Sequence, residues 1–135
     1  MHLNYTMTQE LFSELHGAEI ADAAAILWEV RSVKSPLEVE AIAKACEINV
    51  ACIRKGFSEL REGMTEMDLY GNIMGEYLKN GADNTLPLGL RAGADRYSQS
   101  NCPPSYRPIM RGEIILVDGG PIYHGYYSDI IREAV

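Results

Sequence analysis

The sequence predicts an α+β fold in which two amphipathic helices pack on an antiparallel sheet and two short helices precede them. Three observations carry this. Apolar residues between Pro36 and Gly81 recur at helical spacing. Two strong helix starts, Ser35-Pro36-Leu37-Glu38 and Thr65-Glu66-Met67-Asp68, open that region. From Leu86 onward the pattern changes to short apolar runs separated by Gly, Pro, Asn and Ser. Two consecutive amphipathic helices need a common apolar surface to cover, and a sheet provides one.

The elements follow in order. Thr6 with Gln9 resembles a capping box, Leu11, Phe12 and Leu15 form an apolar stripe and Gly17 is a stop, so residues 8–16 are predicted as a short helix. Ala18 to Ala21 is compatible with a short extended piece. Asp22 caps a second helix with Ile26, Leu27, Val30 and Val33 on its apolar face, ending before Ser35-Pro36 because the residue before proline avoids the helical region. The long helix from Pro36 is expected to bury Val39, Ile42, Cys46, Ile53, Phe57 and Leu60, and the next one Leu69, Ile73, Tyr77 and Leu78 until Gly81. Strands are predicted at residues 86–92, 113–119 and 125–135, with a polar loop at 93–111 and a hairpin tip at Tyr123-His124. The run Ile114-Ile115-Leu116-Val117 is apolar without alternation, so both of its faces should be buried.

Composition narrows the function classes. Of 135 residues, 47% are hydrophobic and 23% charged, which excludes a disordered chain and fits one modest globular domain. The 12 basic against 19 acidic residues, net -7, are the opposite of a nucleic-acid or anionic-membrane footprint. The most apolar stretch, residues 21–30, is interrupted by Asp22 and Glu29 and is too short to span a bilayer, which takes roughly 20 apolar residues. The first residues lack the basic and apolar regions of an export signal. Cys46, Cys52 and Cys102 are odd in number and form no CxxC pair, so a reducing cytoplasm and small buried thiols are expected.

Chemistry concentrates near the end of the chain. With a tip at Tyr123-His124, Ile122 pairs with Gly125 and Asp118 lies directly opposite Asp129. Opposed residues have Cβ atoms about 4.5–5.5 Å apart, and like charges so placed are destabilising, so a cation between them is the economical remedy. The alternative is that Asp118 caps the Gly119-Gly120-Pro121 turn while Asp129 faces water. The metal reading depends on register, since a slip of one residue sends the two carboxylates to opposite faces. His124 is expected to be a solvated tip, and His2 and His16 surface residues.

The segment Gly-Glu-Ile-Ile-Leu-Val-Asp-Gly-Gly from Gly112, with Tyr-His-Gly-Tyr-Tyr-Ser-Asp-Ile-Ile-Arg ending at Arg132, resembles the first metal-binding segment of the pita-bread metallopeptidases: creatinase, aminopeptidase P, prolidase and methionine aminopeptidase. Arg31 to Glu38 resembles the junction entering the family's catalytic domain, and Arg61 to Glu66 the turn between its first two helices. The resemblance implies that residues 1–34 are the tail of an upstream domain and that 35–135 form the N-terminal half of a pita-bread catalytic domain. It assigns Asp118 to one metal ion and Asp129 to a bridge between two, with manganese, cobalt or zinc as the expected ions. The family's other ligands, a histidine and two glutamates, are expected beyond Val135.

Asn101 aligns with a family histidine that contacts substrate. An amide cannot exchange a proton near neutral pH, so Asn101 is either a substrate-facing hydrogen-bonding residue or a plain loop residue. The sequence names no catalytic acid or base. The resemblance thus implies a fragment of a metal-dependent hydrolase similar to Xaa-Pro aminopeptidase or prolidase, acting on a peptide or small amide when complete and inactive as this chain. The other reading is a non-catalytic binding module of the same fold. Unpaired strand edges predict a homo-oligomer.

Overall fold

The computed structural model describes residues 3–99 and 102–135. The chain divides into two compact units between Lys34 and Ser35. In the first, helix α1 (Tyr5–Glu14) starts earlier than predicted because Asn4, not Thr6, is the N-cap; its Oδ1 accepts the Met7 N–H at 2.9 Å. Helix α2 (Ala24–Ser32) has Ala23, not the predicted Asp22, at its N-cap; Asp22 lies one residue earlier, where its Oδ1 accepts the Ala24 N–H at 2.8 Å. Its predicted apolar face is not buried: Ile26, Leu27, Val30 and Val33 are all exposed. Residues 18–21 form no strand.

In the second unit, helix α3 (Pro36–Ser58) opens on a complete capping box, with Glu38 Oε2 accepting the Ser35 N–H at 2.7 Å and Ser35 Oγ accepting the Glu38 N–H. Its buried face is Ala41, Ala45, Ile48, Asn49, Cys52, Ile53 and Gly56. This corrects the predicted stripe: Val39 is exposed, and Ile42 and Cys46 are half-buried. Small residues hold the contact because the next helix crosses close by. A Cβ on Gly56 would lie 2.6 Å from Ile73 Cγ1.

Helix α4 (Glu66–Lys79) also has a full capping box, between Thr65 and Asp68, and buries Glu66, Leu69, Ile73 and Tyr77. Leu78, expected inside, is exposed. Each aliphatic side chain fully buried here contributes roughly 1.5–3 kcal/mol relative to exposure.

Of the predicted strand at 86–92 only β2 (Gly89–Ala92) forms; a separate short strand, β1 (Asn84–Thr85), precedes it, and Pro87 between them has no N–H for a ladder. The loop at 93–111 contains a helical turn, α5 (Ala94–Tyr97). The later strands are β3 (Ile115–Gly119), β4 (Pro121–Tyr123), β5 (Tyr126–Tyr127) and β6 (Ile130–Ala134). They form two antiparallel three-stranded sheets, ordered β1-β4-β5 and β2-β3-β6. One long hairpin, running out along β3 and β4 and back along β5 and β6, therefore serves both sheets. Ile115, Leu116 and Val117 are buried as the apolar run implied, while Ile114, before the strand, is exposed. Ile115 and Val117 join Ile48, Ile53, Leu69, Ile73 and Tyr77 in the core between helices and sheet.

Candidate metal centre

The hairpin tip is His124-Gly125, one residue later than predicted, flanked by the Tyr123–Tyr126 pair. Both tip residues have positive φ, 49° at His124 and 80° at Gly125. A two-residue turn of this hand matches the twist of the strands it joins and favours glycine at its second position. The register moves accordingly. Asp118 pairs with Ile131, not with Asp129.

The correction leaves the shared face intact, because the partner of Asp118 moves by two residues and side chains alternate with a period of two. Asp129 becomes a diagonal neighbour of Asp118 instead of a direct one, at a typical backbone separation of about 7–8 Å. Both carboxylates line a cleft of about 180 Å³ with Leu86, Pro87, Gly120 and Ser128.

Gly89 lies directly across from Asp118 on β2. A Cβ there would stand 3.2 Å from Asp118 Cβ and 3.8 Å from its Oδ2, so glycine keeps the approach to that carboxylate open. Burial first, and the charge of Asp129 second, hold the Asp118 carboxyl above the usual carboxylate range, opposed by Arg91. Arg91 follows Gly89 by two residues and shares this face, and its buried Nε has no hydrogen-bond partner among the described residues. Asp118 is half-buried and Asp129 exposed, and together they concentrate negative charge in the cleft. The pair's hard oxygen donors fit a divalent cation. It supplies two donors: no group of three or more His, Cys, Asp or Glu side chains able to hold a metal occurs among the described residues.

Beneath the pair lies a polar network that the sequence reading missed. Asn49, Tyr77 and Ser128 are buried. The Tyr77 hydroxyl donates to Asn49 Oδ1 at 2.7 Å, and Asn49 Nδ2 donates to Gly119 O at 2.6 Å and Ser128 Oγ at 2.7 Å. Burial raises the Tyr77 hydroxyl well above its ordinary pKa, which keeps it a donor. The available signal was an asparagine in phase with Ala45, Cys52 and Ile53 on the buried stripe of α3.

A second missed group is Glu66, fully buried at the start of α4. Its Oε1 accepts from Ala92 N at 2.8 Å and Arg96 Nε at 2.9 Å, and its Oε2 from Ser105 N at 2.9 Å and Ser105 Oγ at 2.8 Å. This one carboxylate ties β2, α5 and the following loop to α4. The loop borders a larger, mainly apolar cleft of about 630 Å³ that reaches Asp118 and is lined by Met67, Tyr70, Leu88 and Pro103.

The other candidates lie elsewhere. Asn101 and His2 fall outside the described residues. His16 is exposed in the first unit, and His124 is exposed at the hairpin tip with its ring stacked on Tyr123, centroids 4.2 Å apart. All three cysteines are free thiols; Cys52 is in the core, where burial raises its pKa.

Two helices on an antiparallel sheet whose hairpin carries an acidic pair reproduce the N-terminal portion of the pita-bread fold. The prolidase of Pyrococcus furiosus superimposes with a TM-score of 0.90 at 27% identity, covering 98% of this chain and 42% of that one. The prolidase of Pyrococcus horikoshii gives 0.90 at 28% identity, covering 98% and 38%. The X-Pro aminopeptidase of Thermotoga maritima, at 23% identity and a TM-score of 0.88, shares the fold. Residues 40–135 match metallopeptidase family M24, and the chain belongs to that family. Among curated relatives, an uncharacterized peptidase of Staphylococcus saprophyticus is 30% identical over 131 residues, and the Xaa-Pro dipeptidase of Pyrococcus furiosus 29% identical over 135. The alignments cover 97% and 98% of this chain but only 37% and 38% of those relatives.

Proposed function

We propose that this chain supplies the N-terminal portion of a metal-dependent Xaa-Pro peptidase, with Asp118 and Asp129 as two of its metal ligands. The observation that carries the reading is that both carboxylates line one cleft within the segment that matches the family. When bound, divalent ions such as manganese, cobalt or zinc supply Lewis acidity, which lowers the pKa of water and polarises an amide carbonyl. The protein's own contribution is positional. Asp118 is held by the β3 ladder, Asp129 directly precedes β6, and Gly89 keeps the approach clear.

On this reading residues 1–34 are the tail of a preceding domain, the apolar cleft beside Asp118 receives part of a peptide substrate, and Asn101 is a substrate-contacting residue. The chain works in the cytoplasm. It associates with itself through its free strand edges; a stable monomer by light scattering at high micromolar concentration contradicts that part. Two carboxylates are too few for a tight site or turnover, because affinity depends on ligand number as well as type.

The test is titration of the 135-residue chain with Mn²⁺ or Co²⁺, together with an assay on Xaa-Pro dipeptides. Weak binding that disappears in both Asp118→Asn and Asp129→Asn, without hydrolysis, is the expected result. Binding indifferent to both substitutions refutes the site, and turnover by the chain alone refutes the predicted inactivity.

A further inference from the structure

The hairpin that carries the acidic pair is weakly held by its own ladder at the place that matters. Between the Gly119–Ile130 pair of one sheet and the Ile122–Tyr127 pair of the other, Gly120, Ser128 and Asp129 belong to no strand. Pro121 has no N–H to donate across the gap. The Ser128 N–H donates to Pro121 O at 3.1 Å there.

Asn49 spans this gap from the opposite side. Its two amide hydrogens go to Gly119 O, on the residue after Asp118, and to Ser128 Oγ, on the residue before Asp129. One planar group on α3 therefore touches the backbone of the residue after Asp118 and the side chain of the residue before Asp129. Its orientation is unambiguous, since the opposite placement would point Oδ1 at the Gly119 carbonyl, two acceptors face to face. The Tyr77 hydroxyl, donating to Oδ1, fixes the same orientation from α4. Asn49 and Tyr77 are fully buried, and no water is needed to complete the set.

We propose that Asn49, oriented by Tyr77, is the positioning residue of the acidic pair, setting the separation of the Asp118 and Asp129 carboxylates by tying together their neighbours, the Gly119 carbonyl and the Ser128 hydroxyl. The proposal rests on reading that pair as metal ligands. Partners behind metal ligands typically change affinity by about 10–100-fold when removed. Asn49→Asp is nearly isosteric, loses both donors and sets an oxygen against the Gly119 carbonyl. Tyr77→Phe keeps the ring in the core and removes only the hydroxyl, so it remains informative if the aspartate variant folds poorly. Ile73→Val weakens the same core without touching the network.

Two measurements on the 135-residue chain decide the matter: Mn²⁺ affinity from the electron paramagnetic resonance signal of the free ion, and amide hydrogen exchange by NMR. Tyr77→Phe and Asn49→Asp are expected to weaken Mn²⁺ binding about tenfold. They should also accelerate exchange at Ser128 N–H selectively over Val117 in the core of β3. Ile73→Val should accelerate both amides alike and leave Mn²⁺ affinity unchanged. Network variants that behave like Ile73→Val overturn the proposal. A wild-type chain that binds no Mn²⁺ refutes the metal reading of the pair; selective exchange at Ser128 then still supports the clamp, and exchange that follows the core overturns it.

Discussion

Gly119→Ala tests the packing beneath the acidic pair with a single methyl group. A Cβ at this position would stand 2.6 Å from Asn49 Oδ1 and 3.2 Å from Ile53 Cδ1, and would also collide with the Tyr77 hydroxyl. None of these neighbours yields freely, because Asn49 is held by three hydrogen bonds and Ile53 lies in the core. Accommodating the methyl forces a choice between pushing α3 off the sheet and breaking the Asn49 bonds. Overpacking costs about 1–3 kcal/mol, and each buried hydrogen bond lost about 1 kcal/mol. Together they give a destabilisation of about 3 kcal/mol, or a fall in Tm of about 10 °C for a chain of this length.

The contrasting substitution is Gly71→Ala on the exposed side of α4, where a Cβ meets nothing within 4 Å. Removing a helical glycine should stabilise by about 0.5–1 kcal/mol. Thermal unfolding followed by circular dichroism reads both variants. The same chemical change should move Tm down at Gly119 and up at Gly71. A Gly119→Ala protein that melts with the wild type would refute the close approach of Asn49 and Tyr77 to the hairpin backbone.

Two further predictions concern the polar anchors of the loop. Glu66→Gln removes the charge that partners Arg96 in a site where the glutamate is fully buried, and breaking such a pair should cost about 3 kcal/mol in denaturant unfolding; a midpoint equal to wild type would mean that the pair contributes no net stability. Glu113, bonded to the Arg107 guanidinium and the Met110 N–H, has its carboxyl pushed down to about 2 from an ordinary 4.5. Because the folded state holds this group ionised more strongly than the unfolded chain, its stabilisation is fully present above pH 4.5 and is lost as pH falls toward 2. The Tm difference between wild type and Glu113→Gln should therefore shrink across that window, and a difference that grows on acidification contradicts the assignment.

The parts of the fold written in short-range chemistry are legible in the sequence. The starts of α3 and α4 are set by hydrogen bonds that reach three residues along the chain, from Ser35 to Glu38 and from Thr65 to Asp68. The hairpin was legible as an element but its predicted tip lies one residue early, although Gly125 is the residue type that the second position of such a turn favours. The acidic pair kept its common face through that error only because the pairing moved by an even number of residues. The apolar residues of α2 show the opposite failure: periodicity indicated a buried face, and the side chains are exposed.

The α+β class, the two capped helices, the buried strand ahead of Asp118 and the membership of the two aspartates in one hairpin follow from local sequence, since each depends on residues a few positions apart. The diagonal offset of those aspartates, the stripe of α3 that meets the sheet, and the meeting of Asn49 with Gly119 and Ser128 arise in the packed fold. Those contacts join residues 70 and 79 positions apart. An asparagine on a helix carries no local mark of its acceptors. They come within its reach only after apolar burial has pressed helix and hairpin together.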